Sequence, residues 1–202
     1  ELNYCIENQI TIKHRSEILS MIMKSFQSIG VAGSHGKTST STLLTTLLDL
    51  CTKDTSSIVG GIIPRYESNT IIKRSKYLVA EIDESDGTIC KYTPYLGIIN
   101  NIDFDHCDYY SNIEKLISSF NDFGSNSKIL LTNDDCKISK KNFNPDFTWS
   151  IKKTSNVNFA LISKKFDPKY TIADYYEKGK VITRIKIPIP GIHNLSNITA
   201  AI

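Results

Sequence analysis

The sequence predicts an α/β fold: a mostly parallel sheet flanked by helices, carrying a phosphate-binding loop, with a small β meander in its C-terminal part. Three observations lead there. As far as Asn144, short apolar runs alternate with amphipathic stretches, the order expected of parallel strands joined by helices. Runs such as Tyr77-Leu78-Val79-Ala80 and Leu96-Gly97-Ile98-Ile99 are apolar at successive positions, as in strands covered on both faces. Beyond Asn144 the helical periodicity gives way to closely spaced short strands.

Residues 18–26 read as a short helix with Ile18, Leu19, Ile22, Met23 and Phe26 on one side. Residues 28–32 form an apolar strand that Gly33-Ser34-His35-Gly36 breaks. A helix over 37–50 follows, with Leu43, Leu44, Leu47, Leu48 and Leu50 on its apolar side; Thr38, Ser39, Thr40, Ser41 and Thr42 suit its first turn better than its interior. Strands are expected over 57–63, 77–82 and 96–102, the last two side by side because consecutive strands usually are. Lys73-Arg74-Ser75-Lys76 reads as a solvated turn. A helix over 113–123 and a strand over 129–132 complete the alternating part. The meander comprises strands over 147–149, 157–162, 170–176 and 181–187, the last alternating through Val181, Thr183, Ile185 and Ile187. A final helix is expected from Asn194, a residue suited to an N-cap, and it is still apolar at Ile202, the pattern of a helix cut before its end.

Composition excludes several classes. The 202 residues carry 24 Lys+Arg against 21 Asp+Glu, a net charge of +3, too weak a balance to argue for nucleic acid. No apolar run approaches the ~20 residues of a membrane span. The start, Glu1-Leu2-Asn3, lacks the basic and apolar regions of a signal peptide. The five cysteines, Cys5, Cys51, Cys90, Cys107 and Cys136, are odd in number and widely spaced, which disfavours a disulfide scaffold or zinc ribbon and suits reduced thiols in the cytoplasm.

Four segments carry chemistry. Gly33-Ser34-His35-Gly36-Lys37-Thr38 lies between a strand and a helix, where backbone N–H groups and the helix N-terminus cradle phosphate oxygens. Lys37 suits β- and γ-phosphates and the Thr38 hydroxyl suits Mg²⁺. The loop is shorter than the strict G-x-x-x-x-G-K-[ST] pattern, because Val31 stands at the place of its first glycine. Glu81-Ile82-Asp83-Glu84-Ser85-Asp86 follows a strand at its carboxyl end, where ligands bind in such sheets. Four carboxylates so close need a cation or a cationic partner, and Mg²⁺ would serve; an acidic solvent-exposed loop explains the same residues equally well. Asn101 to Tyr110 follows the next strand and holds His106 between Asp105 and Asp108, either a metal ligand or a hydrogen-bonded histidine. Pro190-Gly191-Ile192-His193-Asn194-Leu195-Ser196-Asn197 places Asn194 and Asn197 three apart, on one helix face, able to read a base edge or simply to cap and solvate.

In this order the four segments resemble the Mur ligase family of bacterial cell-wall enzymes, over almost the whole chain, and Asp83-Glu84-Ser85-Asp86 resembles its alanine-adding type. Ser34 stands where the family commonly has Thr, Asn100 where it usually has Thr, and the hinge over 66–76 is short. The resemblance implies an ATP-dependent ligase joining L-alanine to the lactyl carboxylate of UDP-N-acetylmuramate through an acyl phosphate, with ATP and Mg²⁺ as cofactors. It implies that Gly33, Ser34, His35, Gly36, Lys37, Thr38 and Ser39 hold the nucleotide phosphates, and that Asn194 and Asn197 contact its adenine end. Thr38, Glu81 and His106 would ligate Mg²⁺, with Lys37, Glu81 and His106 as the catalytic set. His35, Ser85 and Asp86 would approach the sugar substrate. Residues 1–27 would be the tail of an N-terminal UDP-sugar domain and 28–202 the central ATP-binding domain, with the C-terminal domain absent. A tripeptide-recycling ligase or a folylpolyglutamate synthase shares much of this pattern. A switch GTPase would need an N-K-x-D that the sequence lacks, and a non-catalytic nucleotide-binding remnant is opposed by intact Lys37, Thr38, Glu81 and His106.

Overall fold

The computed structural model describes residues 1–51, 53–104 and 109–202. Two helices, α1 (Leu2–Glu7) and α2 (Arg15–Met23), precede the first strand, β1 (Gln27–Ala32). The start of α2 lies ahead of the expected one because His14 and Glu17 form a capping box: His14 Nδ1 accepts from the Ser16 N–H, and the Glu17 carboxylate accepts from the His14 N–H at 2.8 Å. The helix turns Met23 into the core and packs Leu19 against it, whereas Ile18 and Ile22 stay exposed and Phe26 falls beyond the helix end.

Helix α3 (Lys37–Leu50) has the expected bounds, but its buried side is more polar than its leucines suggest. Leu44 is buried together with Thr40, Ser41 and Thr45, and Leu50 is exposed. The Thr45 hydroxyl satisfies itself by donating to the Ser41 carbonyl one turn back, at 2.8 Å. Strand β2 (Thr55–Ile63) is followed by an unexpected antiparallel edge strand, β3 (Ser68–Ile71). Lys73, expected in a solvated turn, instead pairs with Asp49 near the end of α3. Next come β4 (Tyr77–Glu81), a 3₁₀ turn at Thr88–Lys91, β5 (Leu96–Ile99), α4 (Ile113–Asn126), β6 (Ile129–Asn133) and a short α5 (Lys137–Asn142). The chain closes with β7 (Phe147–Ser150), β8 (Phe159–Phe166), β9 (Thr171–Glu177), β10 (Lys180–Ile187) and α6 (Ile192–Ala201).

All ten strands share one sheet, in the order β10-β9-β8-β7-β6-β5-β1-β4-β2-β3. The meander is therefore smaller than expected. β7 runs parallel to both β6 and β8, and only β8, β9 and β10 form an antiparallel meander at the end of the same sheet. In β10 a register shift between Val181 and Thr183 breaks the alternation, so only Ile185 and Ile187 reach the core side.

A second correction concerns β4 and β5, which are not neighbours. β1 runs between them, with Gly30 opposite Ala80 on one side and Gly97 on the other. The reason is the crossover pattern. From β1 the chain passes to β2, returns to β4 beside β1, and then places β5 on the other side of β1, which makes a topological switch point there. The carboxyl ends of β4 and β5 consequently flank the loop that follows β1. On one face, α3 and α6 cover Val31, Val79, Ile98 and Trp149; on the other, α4 packs Leu116, Phe120 and Phe123 against Leu78, Ala80 and Ile99. Among the described residues no helix is long and apolar enough to cross a membrane.

Candidate functional site

The loop after β1 is shaped by two glycines. Gly33 has φ +136°, and a Cβ there would come within 3.0 Å of both the Asn100 side chain and the Asn101 carbonyl. Gly36 caps α3 in the left-handed region, φ +80°, where a Cβ would lie 2.4 Å from Asn197 Oδ1. We expect Gly33→Ala to lower stability by ~2 kcal/mol or more, read as a reduced urea midpoint with an unchanged m-value, because both the backbone conformation and the backbone contact oppose it.

The loop is fastened to the segment after β5. Ser34 Oγ donates to the Asp103 carbonyl at 3.0 Å and accepts from the Asp103 N–H at 2.9 Å. The Asn101 amide accepts from the His35 N–H at 2.8 Å and donates to the His35 carbonyl at 3.0 Å. Asn100, buried, donates to Thr40 Oγ1 at 2.9 Å. The sequence placed Asn101 at the start of a chemistry-bearing segment without giving it a role, and marked Asn100 only as a departure from the family's Thr; the visible signal was a polar Asn-Asn pair closing an apolar run. The His35 ring is exposed, 3.6 Å from the Asp103 carboxylate.

Lys37 and Thr38 each meet a carboxylate from the loop after β4. Lys37 Nζ donates to the Gly33 carbonyl at 2.8 Å and to Glu84 at 2.9 Å. The Glu84 side chain is fully buried, and that burial pushes its carboxyl above the usual range against the pull of Lys37. Thr38 Oγ1 donates to Glu81 Oε1 at 2.9 Å, while Glu81 Oε2 accepts from the Gly60 N–H at 2.6 Å.

The acidic segment is thus divided among several side-chain partners, most of them cationic. Glu84 takes Lys37; Asp83 and Asp86 share Arg15 Nη2, at 2.7 and 3.1 Å. Burial raises the Asp83 carboxyl, but the bonds from Arg15 and Ser85 outweigh it and hold the pKa below the usual carboxylate range. The Ser85 N–H donates to Asp83 at 3.1 Å, and Asp86 also accepts from the Thr88 N–H at 3.1 Å. Arg15 was not anticipated, because it lies far from the acidic run in sequence and has no motif of its own.

Two connected hollows lie here. A pocket of about 400 Å³ is lined by residues 34–39 and Glu81. Beside it an open cleft of about 700 Å³ runs between α6 and the ends of β5 and β6, lined among others by Gly36, Asn133, Asp135, Ile138, His193 and Asn197. Asn194 is absent from this lining. The helix begins at Ile192 with Gly191 as N-cap, so Asn194 is already inside the first turn, and its amide folds back to donate to the Pro190 carbonyl at 2.7 Å. In this arrangement Asn197 reaches the cleft and the Asn194 amide is directed at its own preceding backbone. Asp135, which the sequence did not flag, is fixed at the cleft by Ser150 Oγ at 2.7 Å and the Ile151 N–H at 2.8 Å.

His106 lies outside the described residues, and so does its expected meeting with Glu81. Among the described residues no group of three or more His, Cys, Asp or Glu is arranged to hold a metal. At the mouth of the loop, Thr38 and Glu81 offer a hydroxyl and a carboxylate side by side. That donor set fits Mg²⁺, which takes one or two protein oxygens and completes its shell with phosphates and water.

Residues 31–202 match the Mur ligase middle domain. The chain is 60% identical over 202 residues to a UDP-N-acetylmuramate–L-alanine ligase of Prochlorococcus marinus subsp. pastoris, covering all of this chain and 43% of that protein. A ligase of the same name from Synechococcus sp. strain CC9311 is 45% identical over 193 residues, 96% of this chain and 40% of that one. The chain thus spans about two fifths of the length of the curated relatives it matches. Among solved structures, the UDP-N-acetylmuramate–alanine ligase of Thermotoga maritima superposes with a TM-score of 0.86 at 23% identity, covering 98% of this chain and 46% of that one. The UDP-N-acetylmuramate:L-alanyl-gamma-D-glutamyl-meso-diaminopimelate ligase from Neisseria meningitides gives 0.84 at 19% identity, covering 99% and 67%.

Proposed function

This chain belongs to the Mur ligase middle domain family, and we propose that it forms the ATP-binding part of a UDP-N-acetylmuramate–L-alanine ligase serving peptidoglycan precursor synthesis in the cytoplasm. The observation that carries this function is the pairing of Lys37 and Thr38 with separate carboxylates at the mouth of one glycine loop. Sequence identity of 60% to an alanine-adding relative supports the choice of substrate over that of other ligases sharing the fold.

In the proposed reaction the lactyl carboxylate attacks the γ-phosphorus of ATP and expels ADP, giving an acyl phosphate. The amine of L-alanine then attacks the acyl carbon, and the tetrahedral intermediate loses phosphate to leave the amide. Two anions must meet in the first step, so the chief demand is charge neutralisation and alignment. Lys37 has three N–H donors and spends two of them on Gly33 and Glu84, which leaves one for phosphate oxygens. The backbone of residues 33–38 supplies donors at the start of α3. Thr38 and Glu81 would hold Mg²⁺, with His106 as the family's further ligand, and the ion would supply positive charge to the phosphates. Asn197, His193 and the cleft beside Gly36 would receive the nucleoside end. We assign residues 28–202 to the central ATP-binding domain and residues 1–27 to the tail of the UDP-sugar domain.

Calorimetric titration with ATP and Mg²⁺ should show one site. Asn197→Ala should weaken ATP and AMP alike by about tenfold, the worth of one good hydrogen bond in a binding cleft. Absence of ATP binding, or a cleft variant with unaltered affinity for both nucleotides, would contradict the assignment.

A further inference from the structure

Arg15 lies ahead of the family-matched residues 31–202, yet it touches the phosphate loop's supporting segment. Its Nη2 donates to Asp83 Oδ2 and to Asp86 Oδ2, so one guanidinium nitrogen closes the turn on both sides of Glu84. The same helix grips the far end of that segment, where Ser20 Oγ donates to the Lys91 carbonyl at 2.9 Å. Glu84 is held from behind as well: its carbonyl accepts from the buried Tyr110 hydroxyl at 2.8 Å. From this clamped position its carboxylate receives Lys37.

We propose that Arg15 is a positioning residue for the phosphate-holding lysine. It acts through the 83–86 turn and Glu84, and it sets the affinity for the β- and γ-phosphates without touching the nucleotide. The proposal rests on the assignment of ATP to the Gly33–Thr38 loop. Its physics is that Asp83 and Asp86 carry like charges beside Glu84, and without the shared cation they repel one another and open the turn. Glu84 then shifts, and Lys37, a long side chain with much rotamer freedom to lose, is no longer held in place before ligand arrives. Glu84 is fully buried, so it stays beside the lysine when nucleotide binds and does not swing away as a competitor.

The test is Arg15→Gln in this chain, at a side chain 65% exposed, where folding is expected to survive. Affinities for a non-hydrolysable ATP analogue with Mg²⁺ and for AMP, which lacks the two phosphates concerned, are measured at 0.1 M salt. Arg15→Gln should bind the ATP analogue about tenfold more weakly, within the range expected for indirect positioning, and should bind AMP as the wild type does. Arg15→Lys should recover most of the loss, because one ammonium still bridges two carboxylates. An equal loss for AMP, or no loss at all, would overturn the proposal. A wild-type chain that fails to bind the ATP analogue would instead overturn the assignment of ATP to the loop, and this inference with it.

Discussion

Lys37→Ala should abolish measurable ATP binding and also destabilise the domain at neutral pH. The binding loss follows from removing the only ammonium that the loop presents to phosphates. The stability loss follows from Glu84, whose fully buried carboxylate lies 2.9 Å from that ammonium. Removing one partner of a buried pair typically costs ~3–5 kcal/mol, more than the pair contributes when intact. The effect should depend on pH in a defined direction. Burial raises the Glu84 carboxyl above its unfolded-state pKa, with Lys37 opposing, so deleting Lys37 raises it further. A carboxyl with a raised folded-state pKa favours the folded state below the unfolded pKa, and that benefit is lost as pH rises through the folded pKa. The gap in melting temperature between wild type and Lys37→Ala should therefore narrow on going from pH 8 to pH 5. Adding Glu84→Gln to Lys37→Ala should recover stability at pH 8 without recovering ATP binding. A gap that widens in acid, or an ATP affinity that survives Lys37→Ala, would show that Glu84 and Lys37 do not have these roles.

The parts of this site that were legible in the sequence are those encoded by adjacent residues. Strand, glycine loop, Lys37-Thr38 and helix follow one another without a gap, so the bounds of α3 and the place of the loop were readable directly. The order of β1, β4 and β5 was not, because a preference for consecutive strands to be neighbours says nothing about which crossover returns inside another. The same limit explains the acidic segment. The need for a cation or a cationic partner was readable from its four carboxylates, but which one was not, since Lys37 and Arg15, which pair with Glu84, Asp83 and Asp86, come from distant positions. Asn194 shows a complementary limit. A three-residue spacing predicts a shared helix face, but a first-turn amide can bond its own preceding backbone, and Asn194 does so with Pro190. In the C-terminal part, strand existence was readable from β-branched and aromatic runs, whereas direction was not. Nothing local distinguishes β7, parallel to both neighbours, from β9, antiparallel to both.

These 202 residues by themselves should bind ATP and yet form no alanyl product. The chain covers 43% of a relative that is 60% identical to it, so more than half of that protein has no counterpart here. The groups proposed to bind nucleotide, His106 apart, lie among the described residues: the loop at Gly33, Lys37, Thr38, Glu81 and the cleft at Asn197. Their positions depend on the core around β1, β4 and β5. Amide formation asks for more, since the lactyl carboxylate must be held in line with the γ-phosphate and the alanine amine must then be held against the acyl carbon. Such alignment can account for ~7–11 kcal/mol of a barrier through effective molarity alone. Its loss would slow product formation beyond detection while leaving ATP affinity in place, with slow hydrolysis by water as the residual reaction. The chain is incubated with ATP, Mg²⁺, UDP-N-acetylmuramate and L-alanine, and the alanyl product is sought by mass, with ATP affinity measured on the same preparation. ATP binding without product is the expected result. Product formed at a rate near that of a full-length alanine-adding ligase would mean that these residues hold the acceptor and the amine as well, and that the division of labour proposed for residues 28–202 is wrong.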